Sequence, residues 1–257
     1  MFTGLLLGLF AAYLSYRSFL YSQSAVIRVS FVAMLALIGI LFGRIVAFRL
    51  AARKLAALTA ILYTQCDPQA FIEVFEPILR KTPTDNIAYF DGEVKLSFAY
   101  EALGNFDRAL EILVSANPSL LKMHSLHARA MTANQRLRVC LLQADVEGSE
   151  EALEALSGIE EEAASRARML ASQLHACTEL ARIWLSFLKG EDVDSDYVRD
   201  EAELSKNSIY RAEMELLCGD ILNKKGKAEE AKEHYTNARD FVPGLWAGRQ
   251  AAKRLEG

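Results

Sequence analysis

The apolar positions of this chain follow two different rhythms. In the first 54 residues they form continuous runs, FTGLLLGLFAAYLSY and VSFVAMLALIGILFG, with no polar face between them. Beyond Asp67 they recur three and four apart with charged residues on the remaining positions, and no alternating run with turn chemistry suggests a strand. The expected fold class is all-α, with an N-terminal transmembrane helical hairpin over 1–54 followed by a helical-repeat solenoid over 55–257.

The two transmembrane helices are predicted at about 2–21 and 27–48. The charge-free stretch between Arg28 and Arg44 has fifteen residues. At 1.5 Å per residue it covers about 22 Å, against a hydrocarbon core of roughly 30 Å. Arg28 and Arg44 can snorkel toward head groups, and IVAF (45–48) lengthens the apolar run. The upstream run is interrupted by Arg17, so a signal peptide or an interfacial helix are the alternatives to a span. No cation precedes it and no small-residue cleavage site follows, which disfavours cleavage. Tyr13, Tyr16, Phe19 and Tyr21 suit an aromatic belt at the interface. Both runs contain GxxxG, Gly4 with Gly8 and Gly39 with Gly43, a spacing that lets helix backbones approach closely in lipid. Pairing within the hairpin, or self-association, is the expectation; the alternative is that glycine is simply common in membrane helices.

Charge sharpens this division. Six of the 29 cations lie at or before Lys54, and all 33 acids lie from Asp67 onward, which leaves the rest of the chain with a balance of −10. The segment GRIVAFRLAARK places Arg44, Arg49, Arg53 and Lys54 directly after the second apolar run, against only Arg17 and Arg28 on its other flank. Under the positive-inside rule this orients residues 55–257 toward the cytoplasm, with membrane lipid as one partner. A bacterial cytoplasmic membrane is the expected location. The acidic remainder argues against nucleic acid, which requires clustered Lys and Arg.

No Pro or Gly occurs from residue 44 to Gln65, so the second apolar helix is expected to continue into the soluble part. Asp67-Pro68 then predicts an N-cap and a first-turn proline. Turns are predicted near Cys66, Gly104, Gly148, Gly190 and Gly226, which divides the chain into about five helix pairs and a closing helix, GLWAGRQAAKRLEG. In SGIEEE, Ser157 and Glu160 have capping-box spacing and predict a helix start.

Residues 219–243, GDILNKKGKAEEAKEHYTNARDFVP, resemble the tetratricopeptide repeat, a 34-residue helix–turn–helix unit. Ala212, Gly219, Gly226, Ala231, Tyr235, Ala238 and Pro243 fall on its small, turn, aromatic and proline positions, while Glu215 and Leu222 stand where tryptophan and tyrosine are usual. A second copy, 96–116, offers Leu96, Ser97, Tyr100, Gly104, Ala109 and Ala116, with Pro118 three positions early. Over 123–206 the pairs are either divergent repeats or generic helices. The resemblance implies a TPR-like α-solenoid that binds a protein or peptide on the concave face lined by first helices. It carries that role to Asp91, Phe98 and Glu101 in one repeat and to Glu213, Asp220, Asn223 and Lys224 in the last. Asp220 stands where the carboxylate-clamping variant has asparagine, so the implied target segment is neutral or basic.

Little points to chemistry. The four cysteines lack CxxC spacing, and free thiols suit a reducing compartment. Cys140 and Cys218 each lie eight residues before a predicted turn, at a packed position. His124 and His127 share a helix face with no third ligand nearby, and His175 and His234 stand alone. The acids around Glu150 and Glu160–Glu162 suggest a solvated face or an acidic groove. Phosphate-loop, nucleophile-elbow and zincin motifs are missing. The expectation is a non-enzymatic, cofactor-free scaffold that holds a partner at the membrane. The alternatives are an envelope assembly factor with its repeats outside, a regulatory subunit of a membrane enzyme or cryptic hydrolase, and a structural role for the spans alone.

Overall fold

The computed structural model describes Tyr13 and residues 25–84, 87–115 and 126–256. Among them every regular element is a helix. The chain forms two compact units, Met1–Thr59 and Ala60–Gly257.

In the first unit lies most of α1 (Ala25–Tyr63), an unbroken helix of 39 residues in which the absence of Pro and Gly beyond Gly43 leaves nothing to end the hydrogen-bond ladder. Its large apolar side chains Leu37, Ile38, Ile40, Leu41, Phe42 and Ile45 are exposed. Gly39 is half-buried and Gly43 buried, on the side of α1 that lacks these large residues. Among the described residues no helix is long and apolar enough to cross a membrane. The expected span at 27–48 therefore finds no support there. The predicted helix at 2–21, with Gly4, Gly8, Tyr16, Phe19 and Tyr21, lies outside the described residues apart from Tyr13.

The second unit is built from helix pairs. After the end of α1 come α2 (Pro68–Leu79), α3 (Ile87–Leu103), α4 (Phe106–Ser115), α5 (Leu126–Leu142) and α6 (Val146–Arg166). Then come α7 (Arg168–Leu188), α8 (Asp196–Leu204), α9 (Ser208–Lys224), α10 (Ala228–Phe241) and α11 (Trp246–Glu256). Positive φ occurs at Cys66, Gly104, Ala144, Gly190 and Gly226, which are 38, 40, 46 and 36 residues apart. Each lies between two consecutive helices, but only three of the five expected pairs are packed as pairs, α3 with α4, α5 with α6 and α9 with α10; α7 packs on α6 and α8 on α9, and α11 closes the array. The turns share a chemistry. The N–H groups of Asn105, Asp145, Glu191 and Lys227 each donate to the carbonyl five residues back, which satisfies an otherwise orphaned helix C-terminus. At three of the turns the next residue caps the helix beyond it: Asp67 Oδ1 accepts from the Ala70 N–H (2.9 Å), Asn105 Oδ1 from that of Arg108 (3.4 Å) and Asp145 Oδ1 from that of Gly148 (3.0 Å).

Two boundaries differ from expectation. The third turn falls at Ala144, and Gly148 sits inside the first turn of α6, because Asp145 captures the helix start. Cys140 therefore lies four residues before its turn, although it is buried as expected, as is Cys218. No helix starts at Ser157: α6 runs through SGIEEE, with Leu156 and Ile159 buried on the face its neighbours cover. Packing overrides the capping-box spacing, and the break comes at Ala167 instead.

The main core lies among α5 to α9, where Leu137, Leu156, Val198 and Ile221 are essentially fully buried. Ala212, Ala231 and Ala238 are buried at the close approach of α9 and α10, and a Cβ on Gly219 would collide with the Tyr235 ring. The array then returns on itself. α11 packs against α3, with Trp246 edge-on to Phe106 (centroids 5.4 Å apart) and the Arg249 Nη2 group donating to the Leu103 carbonyl at 2.9 Å. Gly104 is required there twice over, since its φ is +82° and a Cβ would come within 2.6 Å of the Trp246 ring.

Candidate functional site

Helices α3, α5 and α9 converge on one buried cation. The Arg138 Nη2 group donates to Glu101 Oε1 and to Glu213 Oε2, both at 2.7 Å, and Gln135 donates to the other oxygen of Glu101. Its guanidinium carbon lies 5.2 Å from the Phe98 ring centroid and 5.1 Å from that of Tyr210, so it sits between two aromatic faces. The Tyr63 ring is 5.5 Å from Phe98. Glu101 and Glu213 are both nearly fully buried.

Two carboxylates and one cation in a dry interior cannot all carry full charge at little cost. Burial pushes the Glu213 carboxyl up to about 8, with Arg138 acting in the opposite direction and Glu101 reinforcing the rise. Glu101 is also raised by burial, against the pull of Arg138 and hydrogen bonds from Arg138, Gln135 and Glu213. Burial works against the Arg138 charge as well, but the two carboxylates hold its pKa above the ordinary arginine value. Burial thus favours the protonated form of Glu213 and works against the ionised form of Glu101, beside an Arg138 that stays a cation. Burial likewise raises Tyr63 to about 12.

Beside this cluster a cavity of about 50 Å³ is lined by Leu137, Leu180, Trp184, Tyr210 and Met214, and Arg138 Nε is buried without a hydrogen-bond partner. A larger groove of about 470 Å³ adjoins it, with Glu213, Leu141, Leu142 and Trp184 common to both. The walls of the groove are Trp184, Phe187, Leu216 and Trp246, and its polar groups are Asp220, Asn223, Lys224, Gln250 and Arg254. Asp220 Oδ1 accepts from the Tyr235 hydroxyl (2.9 Å) and from Arg254 Nε (3.0 Å). Lys224 Nζ donates to the Glu191 carbonyl at 2.9 Å and lies over the Phe187 ring.

Seven residues were assigned to the concave face from sequence, and the structure sorts them into three groups. Glu213, Asp220, Asn223 and Lys224 come together on the groove. Phe98 and Glu101 are buried at Arg138 with Glu213, so Glu101 is a structural carboxylate with no surface to offer a partner. Asp91 is elsewhere in its hydrogen bonding, paired with Lys95 one turn on along α3. Asp220 is offset by Arg254, so its repulsion of an acidic target is weaker than its position alone implies.

Sequence inspection passed over Arg138, Gln135, Trp246, Gln250 and Arg254. For the first two a signal existed: QRLRVCLL places Gln135 and Arg138 three apart, on one helix face, at the start of an apolar run. His175 and His234 do not stand alone, since their Nδ1 atoms lie 2.9 Å from Glu160 and 2.7 Å from Glu215. Glu160 and Glu162 tie neighbouring helices together through His175, Thr178 and Arg129, which leaves no open acidic groove at these positions. His127 is exposed, and His124 lies outside the described residues. Among the described residues no cluster of His, Cys, Asp or Glu could hold a metal ion.

Comparison with known protein families, with characterised proteins and with solved structures yields no match to this chain.

Proposed function

We propose that this chain is a membrane-tethered, TPR-like scaffold whose groove beside α9 holds an extended segment of a protein or peptide partner at the cytoplasmic face of a bacterial membrane. The observation that carries the proposal is the groove itself, with two indoles and Phe187 as its walls and the Asn223 and Gln250 amides on it. Apolar walls supply desolvated contact area, and side-chain amides fix the direction of a peptide backbone. Asp220 is already offset by Arg254, so the groove does not call for a cation, and its apolar walls favour a neutral segment with an aromatic or aliphatic anchor. Tethering is supported by the exposed apolar side chains of α1, which run nearly all the way round the helix and which water tolerates poorly. The cations Arg44, Arg49, Arg53 and Lys54 would meet anionic head groups at about 1 kcal/mol each.

A photo-crosslinking residue placed at Asn223 in the full chain tests the groove in cells, with Glu154 on the exposed face of α6 as the control position. A discrete protein adduct at Asn223 and none at Glu154 is expected. Equal labelling at both positions, or none at Asn223, would overturn the proposal.

A further inference from the structure

A second cleft, of about 270 Å³, lies among α2, α3 and α4, and it contains a buried carboxylate that the fold leaves half-satisfied. Tyr89, Glu93 and Leu96 occupy one face of α3, and Arg108, Glu111 and Ser115 line the α4 side. Glu93 is 5% exposed. Its Oε1 lies 3.4 Å from the Ser115 hydroxyl, whose nearer acceptor is the Ile112 carbonyl at 2.7 Å. Oε2 is buried with no hydrogen-bond partner. A buried carboxylate oxygen without a donor is costly, and such atoms are rare in native proteins. The remaining charges of the cleft satisfy one another. Arg108 pairs with Glu111 at 2.6 Å and approaches Glu76, which also accepts from Arg80 at 3.0 Å. Glu93 is therefore the unbalanced charge, and burial raises its pKa against the Tyr89 and Ser115 hydroxyls, which favour its ionised form.

We propose that this cleft binds the guanidinium of an arginine side chain from a partner peptide, with the Glu93 carboxylate as the acceptor. A guanidinium suits it better than an ammonium, because its flat fork can bond the carboxylate while stacking beside the Tyr89 ring. The partner's charge is set by the chain, whose net balance beyond Asp67 is −10 and so attracts basic segments. Ile78 and Val114, each next in sequence to a lining residue, are exposed and offer apolar contact to the residues flanking that arginine. A metal ion fits poorly, since no metal-ligating group of three is present among the described residues. This site is separate from the α9 groove and does not rest on the function proposed for it.

The test titrates the full chain with acetyl-Leu-Arg-Val-amide and with its citrulline counterpart, which has the same shape without the charge, by calorimetry. The arginine peptide is expected to bind saturably and the citrulline peptide at least tenfold more weakly. Glu93→Gln should reduce the difference to near unity while Glu154→Gln leaves it intact. Glu93→Asp, which keeps the charge and withdraws it by one methylene, should fall between the two and guards against misfolding of the amide variant. Equal affinity for the two peptides, unchanged binding in Glu93→Gln, or no saturable binding in the millimolar range would overturn the assignment.

Discussion

Replacing Glu213 by glutamine should make the fold less sensitive to pH, with a size set by the buried cluster. In the folded chain the Glu213 carboxyl holds its proton up to about 8, whereas unfolded it titrates near 4.5. Below 4.5 both states carry the proton. Between the two values only the folded state does, so each rise in pH through that window favours unfolding, and the contribution is gone once pH passes 8. At about 1.4 kcal/mol per pKa unit, the loss across the window is on the order of a few kcal/mol. For a domain of this size that corresponds to a fall in Tm of roughly 5–12 °C. Glutamine is nearly isosteric with the protonated acid: its carbonyl can accept from Arg138 and its amide can donate to Glu101, and it has no proton to lose. Thermal melting of the wild type and of Glu213→Gln, followed by circular dichroism in steps from about pH 5 to about pH 9, isolates the effect because other titrating groups are common to both chains. The wild-type Tm should fall more steeply, with the variant the more stable of the two above pH 8. Parallel profiles would refute the raised pKa of Glu213 at Arg138.

Two further outcomes are expected. Trp246→Ala should cost about 2–4 kcal/mol, since it removes the ring that meets Gly104 and Phe106, and hydrogen exchange should speed up in α11 and at the 103–106 turn before it does in α5; uniform acceleration would mean that α11 does not close the array on its own. A C-terminal tag should resist protease in intact spheroplasts and be cleaved after lysis if the cations beyond Gly43 set the orientation; cleavage in intact spheroplasts would instead favour an assembly factor with its repeats outside.

Much of the helix-pair framework was legible in the sequence, because its signals are local. Asp67-Pro68 starts a helix through its own backbone geometry and side-chain oxygen. Gly104, Gly190 and Gly226 mark turns because a left-handed φ costs glycine little. Gly219 and Tyr235 announce a close approach because a small residue and a ring fill one gap. Where local signals compete, tertiary contacts decide. The capping-box spacing at Ser157 lost to the burial of Leu156 and Ile159, and Ala144 took the turn from Gly148 because Asp145 caps the helix that begins at Val146. Asn223 and Lys224, named from the sequence, do line the groove. Trp246, Gln250 and Arg254 on its walls come from a helix whose position depends on the whole array closing. Glu101 and Arg138 lie 37 residues apart and Arg138 and Glu213 75 residues apart, and no periodicity relates them. A sequence displays charge without dielectric, so Glu101 and Glu213 look the same in the chain as acids exposed to water. The fold alone brings them to one arginine out of solvent, and that desolvation raises the pKa of both carboxyls.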